Sequence, residues 1–167
     1  MKNKFSPVQK KSLTKEQALQ KLRHYCAYQE RSHAEVVQKL WDLGVRKSDH
    51  DEILATLIQD DYLNEERFAK AFAGGKFRMK SWGRKKILYA LKEKKVSEYN
   101  IRKAMKEIDE DDYRNVLKDL AEKKYKDLKG EQYLVRKKKT FDYLLQKGFE
   151  PELINEVLST ITGKTNS

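Results

Sequence analysis

Residues 40–45 read LWDLGV, and related segments occur twice more, as LKEKKV at residues 91–96 and LLQKGF at residues 144–149. Each segment begins with leucine and ends five residues later with a large apolar residue, and the ends lie 51 and 53 residues apart. An amphipathic stretch follows each segment, and in the last two its apolar residues recur at i, i+3, i+4 and i+7, one face of a helix. We therefore predict an internal repeat of about 50 residues. The alternative is chance similarity among amphipathic helices.

Helix starts recur at regular intervals along the chain. Thr14 with Gln17 and Ser32 with Glu35 form capping boxes, in which side chains satisfy free backbone N–H groups. Further N-cap candidates are Ser48, Asn64, Ser81 and Ser97. The intervals between these starts predict short helices of about three turns. Only two prolines occur, and no run of alternating apolar and polar residues supports a strand.

The predicted fold is all-α, an elongated, curved array of three tandem three-helix repeats. None of the repeats has enough apolar surface for much stability alone, so neighbours should pack on one another. The expected organisation is a disordered basic N-terminus over residues 1–13, repeats over residues 14–62, 63–109 and 110–162, and a disordered tail over residues 163–167.

The composition points to a charged partner. The formal net charge is +11, and 38% of the residues are charged, against roughly 25% in ordinary globular chains. Such a surplus favours a polyanion or an acidic surface, although a basic protein can also bind nothing specific. A single cysteine, Cys26, allows no intrachain disulfide and fits a reducing compartment. No membrane span or signal peptide is predicted, so the expected location is the cytoplasm. A monomer is expected.

The positive charge is concentrated in two stretches. Residues 76–95 hold nine Lys or Arg against one acid, and residues 123–139 hold eight against two. Residues 48–66, by contrast, hold seven acids and no Lys or Arg. This asymmetry predicts an oriented contact with a charged assembly.

A helical wheel of residues 83–95 separates a core side from an outer side. Lys85, Tyr89 and Lys92 point away from Ile87 and Leu91. An outward tyrosine between lysines can stack on a base or anchor in a protein pocket, and the alternative is packing against an adjoining helix. The predicted contact surface comprises Arg78, Lys80, Arg84, Lys85, Lys86, Tyr89, Lys92 and Lys95, supported by Lys137, Lys138 and Lys139.

The sequence predicts no catalytic site, metal site or cofactor. His24 and Cys26 are too close on one helix to share a face, and no second cysteine completes a zinc set. The pair at residues 74–75 is Gly-Gly without the Lys-Ser/Thr of a phosphate loop. The acidic pairs at residues 60–61 and 65–66 could indicate a metal-dependent nuclease, but nothing else in the sequence completes such a site. Acidic residues at a helix start are explained by the favourable dipole there.

Three segments together resemble the RecX family of bacterial regulatory proteins, modulators of the RecA recombinase. YLNEERFA at residues 62–69 is similar to the family's aromatic-Leu-acid-acid-x-Arg-Phe-Ala string, residues 83–91 match the basic helix that follows, and residues 31–44 resemble the first-unit pattern. Two positions depart from the family. Asn64 replaces an acid, which preserves a good N-cap, and Asp61 replaces a frequent glycine, which puts a tight turn in question.

The resemblance implies a function in recombination, DNA repair and the SOS response. It implies binding to the RecA filament on single-stranded DNA, with inhibition of filament assembly, ATP hydrolysis and strand exchange, and only weak binding to DNA alone. It implies no catalytic residue. Arg67 and Phe68 are expected to hold the junction of the first two repeats, with Phe68 in the core and Arg67 paired with an acid.

Two other functions remain open at this point. The chain could be a sequence-independent DNA-binding protein that acts without a recombinase, which predicts tight binding with a steep salt dependence. It could also be a purely protein-binding helical scaffold, whose affinity would be indifferent to DNA.

Overall fold

A computed structural model describes residues 12–163 of the 167-residue chain. Within that range the chain is all-α, as predicted, with no strand. The helices are α1 (Lys15–Tyr28), α2 (His33–Asp42), α3 (Lys47–Gln59), α4 (Glu65–Lys80), α5 (Arg84–Glu93), α6 (Glu98–Met105), α7 (Glu110–Asp127), α8 (Tyr133–Lys147) and α9 (Pro151–Gly163).

The two segments predicted to be disordered lie mostly outside the described residues. Three residues at their inner edges, 12, 13 and 163, are described. Leu13 packs against the core formed by α1–α3, and Gly163 is the last residue of α9.

The chain divides into two compact units, residues 1–64 and residues 65–167. In the first unit, α1, α2 and α3 pack against one another around a core that includes Leu22, Leu40 and Leu57, all fully buried. This unit corresponds to one three-helix bundle.

The second unit contains six helices that share one core. Phe68 and Phe77 of α4 lie in the same cluster as Tyr113 of α7 and Phe149, which precedes α9. The predicted burial of Phe68 is therefore confirmed. Because α4–α6 and α7–α9 share this core, the second and third repeats stabilise each other within one unit.

The three related segments that reveal the repeat have the same backbone structure. Their fifth residues, Gly44, Lys95 and Gly148, all adopt left-handed conformations, with φ of 72°, 58° and 98°. In each segment the N–H of the last residue donates to the carbonyl of the first, at 3.0, 3.1 and 3.2 Å. This 6→1 hydrogen bond closes a helix C-terminus. The internal repeat is therefore a repeated helix cap that turns the chain into the next helix.

Most of the predicted helix starts are confirmed. Thr14 and Ser32 are N-caps with complete capping boxes. The hydroxyl of Ser97 accepts from the N–H of Asn100 at 3.4 Å, and α4 begins directly after Asn64.

Two predicted helix starts are wrong. Ser48 lies inside α3, because the cap that ends α2 already directs the chain into a helix from Lys47. Ser81 has a left-handed φ of 52° and belongs to the turn between helices. The N-cap of α5 is Gly83, two residues later.

The tight turn at Asp61 is present despite the missing glycine. Asp61 adopts φ of 59°, and the N–H of Tyr62 donates to the carbonyl of Leu57 at 2.9 Å. Aspartate tolerates this region of φ better than most residues.

Candidate nucleic-acid and partner interface

The start of α5 is fixed to the end of α8 by backbone contacts. The N–H of Gly83 donates to the carbonyl of Lys147 at 2.8 Å, and the N–H of Lys85 donates to that of Gly148 at 3.0 Å. A Cβ on Gly83 would lie 2.2 Å from the carbonyl carbon of Gly148. Only glycine allows this approach, and it sets the direction in which the side chains of α5 point.

Arg84 ties the second repeat to the third. Its guanidinium pairs with Glu110 and with Glu150, at 3.5 Å from the latter, and lies 3.9 Å from the centroid of the Tyr113 ring. The Tyr113 hydroxyl accepts from the N–H of Arg84 at 3.0 Å and donates to Glu150 at 2.6 Å. Burial, reinforced by this bond to Glu150, raises the pKa of Tyr113 well above its ordinary value. The positive charge of Arg84 is therefore already paired with carboxylates of the second unit.

The outer face of α5, formed by Lys85, Tyr89 and Lys92, points into solvent. The opposite side carries the fully buried Ile87 and Leu91. Tyr89 is 65% exposed, so the alternative in which it packs against an adjoining helix is wrong. Its hydroxyl bonds to Glu93, which raises the pKa of Tyr89. In the described part of the chain no carboxylate pairs with Lys85 or Lys92. The predicted orientation of this face is confirmed, and its role in binding stays a prediction.

Three further predicted contact residues flank the outer face of α5. Arg78 and Lys80 are exposed in the last turn of α4, with the guanidinium of Arg78 lying over Gly74 one turn earlier. Lys95 is exposed in the turn after α5. They extend the cationic surface at both ends of the helix.

The predicted supporting run on α8 is mostly neutralised by neighbours. The ammonium of Lys138 lies 2.6 Å from Asp142, and that of Lys139 lies 2.5 Å from Glu131. Lys137 is half-buried, and no described carboxylate pairs with it. Surface ion pairs of this kind are weak and exchange readily, so they reduce this run's charge without removing it.

Where α4, α5 and α8 meet, the predicted residues Lys80 and Lys86 lie in a cluster with three side chains that sequence reasoning missed, Lys76, Trp82 and Lys147. The ammonium groups of Lys76 and Lys86 lie 5.0 and 4.6 Å from the centroid of the Trp82 ring. Lys147 donates to the carbonyl of Lys80 at 2.6 Å. Partial burial, together with the charges of Lys86 and Lys80, lowers the pKa of Lys147.

The positive charge of this cluster could have been predicted from the sequence, because residues 67–92 contain no acid. The participation of Lys147 could not have been predicted in this way, because Lys147 comes from a distant part of the chain.

Of the carboxylates considered as metal ligands, Glu65 and Glu66 lie at the start of α4 and hold helices together. Asp60 instead caps the C-terminus of α3, so the helix-start explanation for residues 60–61 is wrong. Glu65 accepts from the hydroxyl of Ser97 at 2.9 Å. Glu66 accepts from Lys103 and pairs with Lys70, both at 3.0 Å, and these bonds lower the pKa of Glu66. Within residues 12–163, no three His, Cys, Asp or Glu side chains gather in a way that could hold a metal ion.

Comparison with known proteins places this arrangement in a family. The family model described as "RecX, second three-helix domain" matches residues 64–105, and "RecX, third three-helix domain" matches residues 110–158. The regulatory protein RecX of Chlorobium limicola (strain DSM 245 / NBRC 103803 / 6330) is 32% identical over 133 residues, which cover 78% of this chain and 82% of that relative. The chain belongs to the RecX family. The resemblance seen at residues 62–69 and 83–91 is thereby confirmed.

Other RecX proteins add to this assignment. The regulatory protein RecX of Clostridium perfringens (strain 13 / Type A) is 32% identical over 135 residues, and the match spans 79% of this chain and 62% of that longer relative. The crystal structure of RecX from Lactobacillus salivarius superposes with a TM-score of 0.80 at 23% identity, covering 89% of this chain and 96% of that one. A second RecX crystal structure gives 0.79 at 20% identity, covering 86% and 72%. At these identities the structures establish the shared RecX fold of three-helix repeats.

No helix among the described residues has both the length and the apolar character needed to cross a membrane.

Proposed function

We propose that this RecX family member regulates the RecA recombinase by binding the RecA filament on single-stranded DNA. The expected effect is inhibition of filament assembly, ATP hydrolysis and strand exchange during recombination and DNA repair. The observation that carries the proposal is the outer face of α5, where Lys85, Tyr89 and Lys92 project together into solvent and no carboxylate of the described residues pairs with either lysine. The names of the relatives, regulatory protein RecX, support it.

The geometry of α5 suits a nucleoprotein partner. Lys85 and Lys92 are separated by two helical turns, about 10 Å along the axis, with Tyr89 between them. Ammonium groups bind phosphates or acidic side chains, and an exposed tyrosine adds a flat apolar contact between them. Because α5 is tied to α8, the backbone that carries these groups is held in place before the partner arrives, which lowers the entropic cost of binding.

The proposal includes three further expectations about partners and location. The protein binds single-stranded DNA weakly when alone and mainly through the filament. It acts as a monomer and needs no cofactor. Because the partner works on DNA, the proposed site of action is the cytoplasm.

A second candidate function is sequence-independent DNA binding without a recombinase. The net charge of +11 and the acid-free stretch over residues 67–92 favour it. It predicts tight binding to bare DNA, with an affinity that falls steeply as salt rises, because each phosphate contact releases a counterion.

Fluorescence anisotropy of a labelled oligothymidylate separates the two functions. The protein is titrated onto the bare strand and onto the same strand coated with the cognate RecA and ATP, over a range of salt. We expect binding to the filament at concentrations where the bare strand stays free. Equal affinity for both, with a steep salt dependence, would instead establish the second function.

A further inference from the structure

Three lysines from distant parts of the sequence meet in the second unit. This junction lysine cluster comprises Lys80 at the end of α4, Lys86 in the first turn of α5 and Lys147 at the end of α8. The ammonium of Lys147 lies 2.6 Å from the carbonyl oxygen of Lys80. The backbone of Lys86 touches Gly148 so closely that a Cβ there would lie 2.7 Å from the nitrogen of Lys86. The backbone of Lys86 therefore lies against the residue that follows Lys147, and the side chain of Lys147 reaches the backbone of Lys80.

No counter-charge from the described part of the chain balances the junction lysine cluster. Among residues 12–163, no carboxylate pairs with any of its three lysines. Glu150 lies three residues beyond Lys147, but its carboxylate is held by Arg84 and Tyr113. The lowered pKa of Lys147 reflects its partial burial and the neighbouring positive charges of Lys86 and Lys80. Gathering three cations in this way is unfavourable in the free protein, and a bound anion removes the cost.

The backbone donors at the start of α5 are already used. The N–H groups of Gly83, Arg84 and Lys85 donate to Lys147, Tyr113 and Gly148. An anion at this junction is therefore held by the ammonium groups themselves, each of which carries three donors. The positive end of the α5 dipole adds a favourable potential without a direct hydrogen bond.

Trp82 lies beside the junction lysine cluster. Its ring lies 4.6 Å from the ammonium of Lys86 and is half-buried against the core. An anion that draws Lys86 away from the ring changes the electrostatic environment of the indole. Trp82 is therefore a built-in reporter of occupancy at this site.

We infer that Lys80, Lys86 and Lys147 bind a phosphate group at the meeting point of α4, α5 and α8. The chemistry is shared by the phosphodiester backbone of single-stranded DNA and by free phosphate. The inference rests on the proposed function only in naming the DNA strand as the natural source. Because Lys80 and Lys86 belong to the second repeat and Lys147 to the third, a bound phosphate bridges the two repeats.

Trp82 emission provides a direct test. The chain has two tryptophans, and Trp41 lies in the first unit, so W41F leaves Trp82 as the sole tryptophan, which is excited at a wavelength that the tyrosines do not absorb. This single-tryptophan protein is titrated, without RecA and at constant ionic strength, with oligothymidylate in one series and inorganic phosphate in another. We expect a saturable change in emission with the oligonucleotide.

Charge-matched variants test the assignment to the junction lysine cluster. K147Q, added to W41F, should weaken the apparent affinity by about tenfold, since it removes one charged hydrogen-bond donor. K86Q should also weaken it, and circular dichroism verifies that both variants remain folded. K106Q is the control, because Lys106 is an exposed lysine at the end of α6 and its removal lowers the net charge equally. It should change the affinity by less than about twofold.

Two results would overturn the inference: an emission that does not respond to either titrant, or equal losses in K147Q and K106Q. A response to inorganic phosphate but not to oligothymidylate upholds the site and assigns it to a free phosphate ligand. RecA is absent from this titration, so a negative result here would not count against regulation of RecA. Equally, a failure to regulate RecA would not count against this phosphate site.

Discussion

The N–H of Gly83 donates to the carbonyl oxygen of Lys147 at 2.8 Å, which joins the first residue before α5 to the last residue of α8. This bond lies between the two repeats of the second unit and next to the residues proposed to contact a partner. The positions of the outer face of α5 and of the junction lysine cluster both depend on it. Stability of the second unit and binding of its partner should therefore be linked at this junction.

Gly83→Ala should strongly destabilise the second unit. The added Cβ would lie 2.2 Å from a backbone atom of Gly148, and neither backbone can move without breaking the junction. We expect a loss of about 2 kcal/mol or more in the free energy of unfolding, measured by urea denaturation with Trp82 fluorescence in the W41F protein.

Gly75→Ala is the matched control for that substitution. Gly75 lies inside α4, and a Cβ there meets no atom within 4 Å. We expect a gain of about 0.5–1 kcal/mol from the better helix propensity of alanine. Similar effects of the two substitutions would contradict the close approach of Gly83 to Gly148.

Tyr113→Phe should destabilise the same unit by about 1–3 kcal/mol. It removes the hydroxyl that donates to Glu150 at 2.6 Å and accepts from the N–H of Arg84 at 3.0 Å. The same urea denaturation measures the change. Tyr125→Phe is the control, because Tyr125 is also buried in α7 but its hydroxyl makes no hydrogen bond within the described residues. A cost for Tyr125→Phe as large as that for Tyr113→Phe would show that the hydroxyl network is not the cause.

Lys95→Gly should stabilise the protein by about 1 kcal/mol. Lys95 occupies the left-handed position that glycine fills in the other two repeats, and a lysine there bears a steric cost. Lys92→Gly, inside α5, should instead destabilise by about 1 kcal/mol. Thermal unfolding followed by circular dichroism distinguishes the two substitutions. A loss of stability in Lys95→Gly would contradict the conclusion that all three repeats share this cap.

The double variant K85E/K92E should abolish binding to the RecA filament while leaving the melting temperature nearly unchanged. Both side chains are exposed and unpaired within the described residues, so reversing their charge affects the partner and not the core. R102E/K106E is the control, because these α6 cations are also exposed and the change in net charge is the same. Binding is measured by anisotropy on RecA-coated oligothymidylate. Equal losses in the two double variants would show that the effect comes from net charge and not from the outer face of α5.

Local signals in the sequence predicted most of the helices. The capping boxes at Thr14 and Ser32 were correct because a cap involves only residues within one turn of each other. The repeat was correctly identified because its three segments carry the same leucine and apolar residue at the ends of one cap. Ser81 was wrongly assigned because the start of α5 is set by Gly83 against Gly148, a contact between residues far apart in the chain.

The candidate site was only partly predictable for the same reason. The orientation of Lys85, Tyr89 and Lys92 follows from the helical period alone. The engagement of Arg84 by Glu110 and Glu150 depends on packing between repeats, and no periodicity reveals it. The junction of Lys147 with Lys80 and Lys86 likewise exists only once α8 lies against the end of α4.

The single-stranded-DNA-dependent ATPase of the cognate RecA tests the central proposal most directly. It is measured with and without this protein, at substoichiometric amounts and at concentrations where the protein alone barely binds DNA. We expect a clear fall in ATP hydrolysis. An unchanged rate, together with strong and salt-sensitive binding to bare DNA, would contradict the proposal and favour a DNA-binding protein that acts without a recombinase.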